Sequence, residues 1–345
     1  MLKLRRGQVV ATGPLEVSVG GERRVAWADP EVVGPCEVGD EVIVNTEALD
    51  LGLGSGGFDI VLVNLSRGLD GTGAEGEHVM KLNYSPLQHP VATVEREAAG
   101  EEASGTAQPP VPVLAIGLHG HLAPAAWACA LRLREEFDRE AAVGYIQTEG
   151  GALPGALSRD VKDLLERKLL AGHVTSGSTW GGQGEAITLI GALDAAGSLG
   201  WDAVIAGPGP GILGSATTYG HGGMAALDVA HAGLALGAPV VLSPRLSSSD
   251  PRPRHRGLSH HSRSVIRLLL GGVDVPLPEG SEEIVPVIEA EGAGRHGIPL
   301  ERVDLDGYIA SGLPSRTMGR EARDDPDFFA GPLAAGSRLA ELVVG

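Results

Sequence analysis

Between residues 111 and 272, short apolar runs take turns with longer stretches whose apolar residues recur every three or four positions. The runs are "PVPVLAIGL", "AAVGYIQT", "GHVTSGS", "WDAVIAGPG" and "APVVLSP". The stretches that follow them are "PAAWACALRLREEF", "SRDVKDLLERKLL", "EAITLIGALDAAGSLG", "GGMAALDVAHAGLALG" and "HSRSVIRLLLGG". A strand that is apolar on both sides must be covered on both sides, and parallel strands joined by helices meet that need. Because such crossovers are right-handed, the pattern predicts an α/β fold built on a Rossmann-like, doubly wound, mostly parallel sheet.

Residues 1–95 carry a different rhythm. "GQVVATG", "LEVSVGG", "RRVAWAD", "DEVIVNT" and "FDIVLVNL" are short β-branched runs punctuated by Gly, Pro and Asp, with a "GLGSGG" loop among them. They predict a small β-barrel-like domain, followed by a strand or extended arm, "MKLNYSPLQHPVATVE". Residues 96–110, "REAAGEEASGTAQPP", read as an acidic linker. The tail, 273–345, holds one further strand, "EEIVPVIEA", and acidic helical pieces expected to pack on the α/β domain or a partner subunit.

Charge narrows the partners. With 44 acidic against 27 basic residues, no extended basic surface for nucleic acid is expected. "MLKLRRGQVV" lacks the apolar core of a signal peptide, and the longest near-apolar run, around "LAPAAWACAL", is too short to span a membrane. Cys36 and Cys129 form no CxxC pair and are expected to be buried thiols in a reducing compartment. The expectation is a cytoplasmic protein, with a homodimer as the default assembly.

In open α/β sheets, ligands bind outside the carboxyl ends of the strands. The loops due there are "GLHGHLAP", "TEGGALPG", "SGSTWGGQGE", "GPGPGILGSATTYGHGG" and "SPRLSSSDPRPRHRGLSHH", and they hold six of the eleven histidines. Their glycines Gly150, Gly151, Gly182, Gly207, Gly209 and Gly211 are candidates for presenting backbone amides to an anion. Gly209, Gly211 and Gly214 match G-x-G-x-x-G. With 52 glycines in 345 residues, however, such a match arises by chance about once per chain. Pro208 and Pro210 also remove amide donors, so the alternative reading is a turn that lets a helix pack closely. His119 and His121 could join His221 or His255 around a metal, but no carboxylate–His spacing supports that, and no metal is expected. Glu149 is a candidate base or hydroxyl acceptor. Glu185 is read as a first-turn carboxylate of a helix.

The last of these loops is the most specific. From Arg245 to Arg267 there are six arginines, three histidines and a single acid, Asp250. Arg245, Arg252, Arg254 and Arg256 could clamp a carboxylate or phosphate, and Ser259 is a natural N-cap for the helix that follows. His255, His260 and His261, beside arginines, are expected to have lowered pKa values, leaving one neutral and able to act as a general base. The competing account has Asp250, Glu149 and tail acids neutralising the arginines in a structural network.

"VGDEVIVNTEALDLGLGSGG", "HVMKLNYSPLQHPV", "TEGGALPGALS", "GPGPGILGSATTYG" and "DPRPRHRGLSHHS" together resemble an uncharacterised bacterial family, domain of unknown function 3866. The resemblance spans most of residues 35–262 and implies no established activity, cofactor or catalytic residue. The favoured reading is a protein that binds or acts on a small phosphorylated or carboxylated metabolite, with the cofactor unknown. The alternatives are a non-catalytic sensor module and an NADP-dependent oxidoreductase with Arg245 near a 2′-phosphate.

Overall fold

The computed structural model describes residues 2–52, 56–71, 77–95, 109–215 and 217–345, which form two compact units, Met1–Val91 and Ala92–Gly345. The middle of the "GLGSGG" loop and residues 96–108 of the expected linker lie outside the described residues.

In the first unit, five strands close into a barrel: β1 (Leu4–Thr12), β2 (Leu15–Val19), β3 (Glu22–Trp27), β4 (Glu41–Asn45) and β5 (Asp59–Asn64). Their order is β1-β2-β3-β5-β4, with β1 pairing β4 to complete the ring. Period-two patterning turns Val9, Val17, Val42, Val44 and Val61 into one small core. Two single-turn helices, α1 (Pro30–Val33) and α2 (Glu47–Asp50), link barrel strands. The expected extended arm is a hairpin, β6 (Val79–Lys81) with β7 (His89–Val91).

The second unit holds a parallel sheet with helices on both faces. Its strands are β8 (Val113–Ala115), β9 (Val143–Thr148), β10 (Gly172–Ser176), β11 (Gly184–Ala186), β12 (Ala203–Pro208) and β13 (Val240–Leu242). Their order is β11-β10-β9-β12-β8-β13, and every neighbouring pair is parallel. The chain therefore steps from β8 outward through β9, β10 and β11, returns to insert β12 beside β8, and ends on β8's other side.

Alternate residues of one strand feed two cores. On β12, Val204 and Ala206 face α5 (Leu189–Ala195), α6 (Ala225–Leu236), α7 (His260–Leu268) and α8 (Val285–Gly292). Ala203 and Ile205 face α3 (Leu122–Phe137), α4 (Arg159–Glu166) and the tail helices α9 (Leu305–Ala310) and α10 (Pro326–Val344). Beyond β13 the tail continues the sheet edge, where Asp274 bridges Val241. "EEIVPVIEA" is not a strand but a 3-10 turn running into α8, so its apolar residues pack at helical spacing.

One sheet strand was hidden in a stretch read as helix. Gly184–Ala186 forms β11, and the helix begins only at Leu189, capped by Thr188, whose hydroxyl accepts from Gly191 N. Glu185 is thus an edge-strand residue rather than a first-turn carboxylate. Of the two cysteines, Cys129 is buried as expected, while Cys36 is half-buried. Among the described residues, no helix is long and apolar enough to cross a membrane.

Candidate functional site

Three neighbouring strands, β12, β8 and β13, deliver their carboxyl-end loops to one place. After β8 the chain makes a 3-10 turn at His119–His121 and enters α3. His121 is fully buried, pairs through Nδ1 with Ser243 Oγ at 2.9 Å just past β13, and sets its ring edge-on to Phe328. Two residues on, Arg245 is 4% exposed, and its backbone N–H donates to Ser262 Oγ at 2.8 Å.

A two-residue ladder, β14 (Leu246–Ser247) with β15 (Gly257–Leu258), then folds the arginine-rich segment back on itself. That return brings His255, His260 and His261 over Arg245. Ser259 caps α7 as its sequence position predicts, with Oγ accepting from His261 N. From the β12 loop, His221 stacks on His261 with ring centroids 3.7 Å apart and planes 12° from parallel. His255 and His260 complete a four-ring cluster, with centroids 4.6 Å apart and 4.3 Å between His260 and His261. Beneath the rings, His121, Ser243, Arg245, His261 and Ser262 line a cavity of about 10 Å³, room for about one water.

The arginines meet native acids. Asp250, fully buried, accepts from Arg252 Nε and Nη2, both at 2.9 Å, and from Nη2 of Arg245 and of Arg320, both at 3.4 Å. Arg256 Nε donates to the Asp250 carbonyl at 2.9 Å. Asp325 holds Arg320 Nε at 3.0 Å and accepts from Ser247 Oγ and from the amides of Ser248 and Ser249. The structural network weighed from the sequence thus exists around Asp250. Its second acid is Asp325, one of the tail acids of that account, while Glu149 takes no part. Of the four candidate clamps, Arg252 and Arg256 are committed internally. Arg245 keeps Nε buried without a partner while Nη1 lies 3.2 Å from His261 Nδ1. Arg254 is exposed and makes no ion pair among the described residues.

Burial, more than the arginines, sets the protonation of the rings. It pushes His255 down to about 3 and His261 to about 2, with Arg245 adding to both, and it lowers His221 and His260. Arg245 itself falls to about 10, chiefly by desolvation. The hydrogen bonds from Arg252 hold the Asp250 carboxyl well below the usual carboxylate range. All four imidazoles are therefore neutral at pH 7. Bases so depressed take up a proton only weakly there, so the cluster's chemistry is that of lone pairs and N–H donors.

Other candidates sit elsewhere. His119 pairs through Nε2 with Ser158 Oγ at 2.9 Å and tilts against Tyr145, whose ring stacks on His173. Glu149 is exposed and accepts from Ser178 N at 3.2 Å and Oγ at 2.8 Å. The Gly182 amide is taken by Glu185, whose Oε1 also accepts from Gly181 N. The remaining glycines bring main chains together. A Cβ on Gly150 would lie 2.7 Å from the Gly222 carbonyl, one on Gly151 2.4 Å from that of Gly209, and one on Gly207 2.2 Å from that of Ile116. At Gly209 a Cβ would meet Gln147, and Gly211 has a positive φ. These contacts are those of a turn that packs closely, the alternative reading of the glycine match.

The sequence reading paired His119 and His121 with His221 or His255. Folding instead places a ring nitrogen of His221, His260 and His261 each within 4.8 Å of the others. Arg320 was missed because it reaches the segment from a distant part of the chain, and Ser243, although it opens the same loop, was not singled out. The one available hint was that a lone acid, Asp250, stood among six arginines.

A search of the curated proteins finds no match to this chain. The family model described as protein of unknown function, DUF3866, matches residues 25–336 and so takes in both the basic segment and most of the tail. By that match the chain belongs to the DUF3866 family.

Proposed function

We propose that the second unit is a Rossmann-like layer whose rim, where the loops after β12, β8 and β13 meet, binds a small phosphorylated or carboxylated metabolite. The observation that carries this reading is Arg245: a guanidinium 4% exposed, with Nε lacking any partner, held where ligands of parallel sheets bind. A buried cation with an unmet donor is costly unless an acceptor arrives. Among the described residues, three guanidinium groups, those of Arg245, Arg252 and Arg320, pair with Asp250 and Asp325 alone, which leaves local positive charge. Arg254, exposed and without an ion pair among the described residues, adds to it and is free to fold onto a ligand.

Thermal-shift titration with inorganic phosphate, citrate and sugar phosphates tests the reading, with matched chloride as the ionic-strength control. A ligand at a hundred times its Kd stabilises by about 2.7 kcal/mol. Phosphate also stabilises proteins generally by exclusion, so the specific signal is the part lost in Arg254→Ala. The reading predicts such a loss without loss of folding. No anion-dependent shift beyond chloride, or a shift untouched by Arg254→Ala, overturns it.

A further inference from the structure

The imidazole cluster offers a second chemistry, independent of the anion. His221 and His260 each keep Nδ1 buried with no hydrogen-bond partner. His221 is only 8% exposed, and its Nε2 lies 3.1 Å from the Thr218 carbonyl. A carbonyl accepts, so Nε2 carries the proton and Nδ1 is left as a bare lone pair. A backbone carbonyl fixing one ring nitrogen while the other faces inward is the usual support of a metal-binding histidine. His260 likewise keeps a buried Nδ1 with no hydrogen-bond partner among the described residues. His261 is the third ring, and a nitrogen of each lies within 4.8 Å of the others.

We propose that His221, His260 and His261 form a three-imidazole site for a divalent late first-row ion of the zinc class, leaving a fourth position for water or an anion. Neutral imidazole suits such ions, and three protein ligands with an open position is the arrangement of reactive rather than purely structural zinc sites. His221 was drawn as a metal partner of the wrong histidines, because it lies some forty residues from His260 and His261, an adjacent pair that matches no common ligand spacing.

The site has to close on its ion. Metal–nitrogen distances of 2.0–2.1 Å in a tetrahedron put ligand nitrogens roughly 3.3 Å apart, so the rings must turn inward and the His221–His261 stack must open. His261 also has a rival partner, since Arg245 Nη1 lies 3.2 Å from its Nδ1. The ion must displace that contact or take the ring's other nitrogen, and either lowers affinity relative to an unopposed triad. The charge of Arg245 is partly offset by Asp250.

The test uses the full chain without a histidine tag, stripped by chelation and titrated with Co²⁺ or Zn²⁺ alone. One equivalent should bind per chain, with the visible bands of four- or five-coordinate cobalt. His221→Ala and His260→Ala should each weaken binding by roughly tenfold or more. His255→Ala should change it by no more than a few-fold, because His255 Nδ1 is committed to Ser259 Oγ at 2.7 Å. X-ray absorption on the zinc-loaded native chain needs no variant and should count three imidazoles. Failure to bind either ion at micromolar concentration, a count below three, or binding indifferent to His221 and His260 overturns the proposal. None of these outcomes bears on phosphate binding by Arg254.

Discussion

Removing the Asp250 carboxylate is the sharpest test of how the basic segment is held. In Asp250→Ala, Arg252 loses its two-pronged partner, but its side chain is 45% exposed and turns to water at a cost of about 1 kcal/mol or less. Arg245 has no such escape, with its side chain 5% exposed, whereas Arg320 keeps Asp325 at 3.0 Å. Stranding a buried charge costs about 3–5 kcal/mol, and the Arg252 amide, 3.0 Å from Oδ1, loses its acceptor as well. For a unit of this size each kcal/mol moves Tm by about 2–4 °C, so the expected drop is roughly 6–20 °C. Thermal unfolding followed by circular dichroism, with urea titration as a second probe, measures it. Adding Arg245→Met should recover part of the loss, since the stranded charge is then gone. A single variant within about 1 kcal/mol of the parent would refute the idea that Asp250 organises the segment.

Three further outcomes follow from the same geometry. Arg254→Ala should leave stability within about 0.5 kcal/mol by urea titration, because the side chain is exposed and unpaired. Gly222→Ala should destabilise by about 3 kcal/mol, because the added Cβ would sit 2.0 Å from the Gly150 carbonyl; an unchanged urea midpoint would show that the two loops separate freely. Burial depresses His119 to about 4 and both His121 and His173 to about 3, so below pH 6.5 the unfolded chain takes up protons that the folded chain refuses. Stability should therefore be full well above pH 6.5, and these three groups alone should lower it by up to about 4 kcal/mol per pH unit as pH drops toward 4; a flat profile from pH 7 to 5 would contradict this.

Much of the architecture was legible because burial on both faces of a strand writes a continuous apolar run, as in "WDAVIAGPG". The barrel strands were equally plain, since the β-branched runs that hold Val9, Val17, Val42 and Val44 are punctuated by Gly, Pro and Asp. The strand β11 was not, because three residues ending in Ala186 carry too little pattern to stand apart from the helix after them. At the site, the Ser259 cap and the lowered histidine pKa values were readable from local chemistry, although burial rather than neighbouring charge leads the shift. What holds Arg320 was not readable, whereas Asp250 beside Arg245 was. Asp325 lies seventy-five residues from Asp250, and only the folded tail brings them to the same guanidinium.

The glycines of the rim bear on how sequences of this kind can diverge. Gly150 rests on Gly222, Gly207 on Ile116 and Gly223 on Gly117, main chain against main chain. A methyl group at the first two would collide with a carbonyl, so drift there is closed off whatever the ligand. Variation is left to the outward side chains of the same loop, Ile212, Leu213 and Tyr219. Substitutions at those three positions would change the surface of the rim without moving the main chain that carries it.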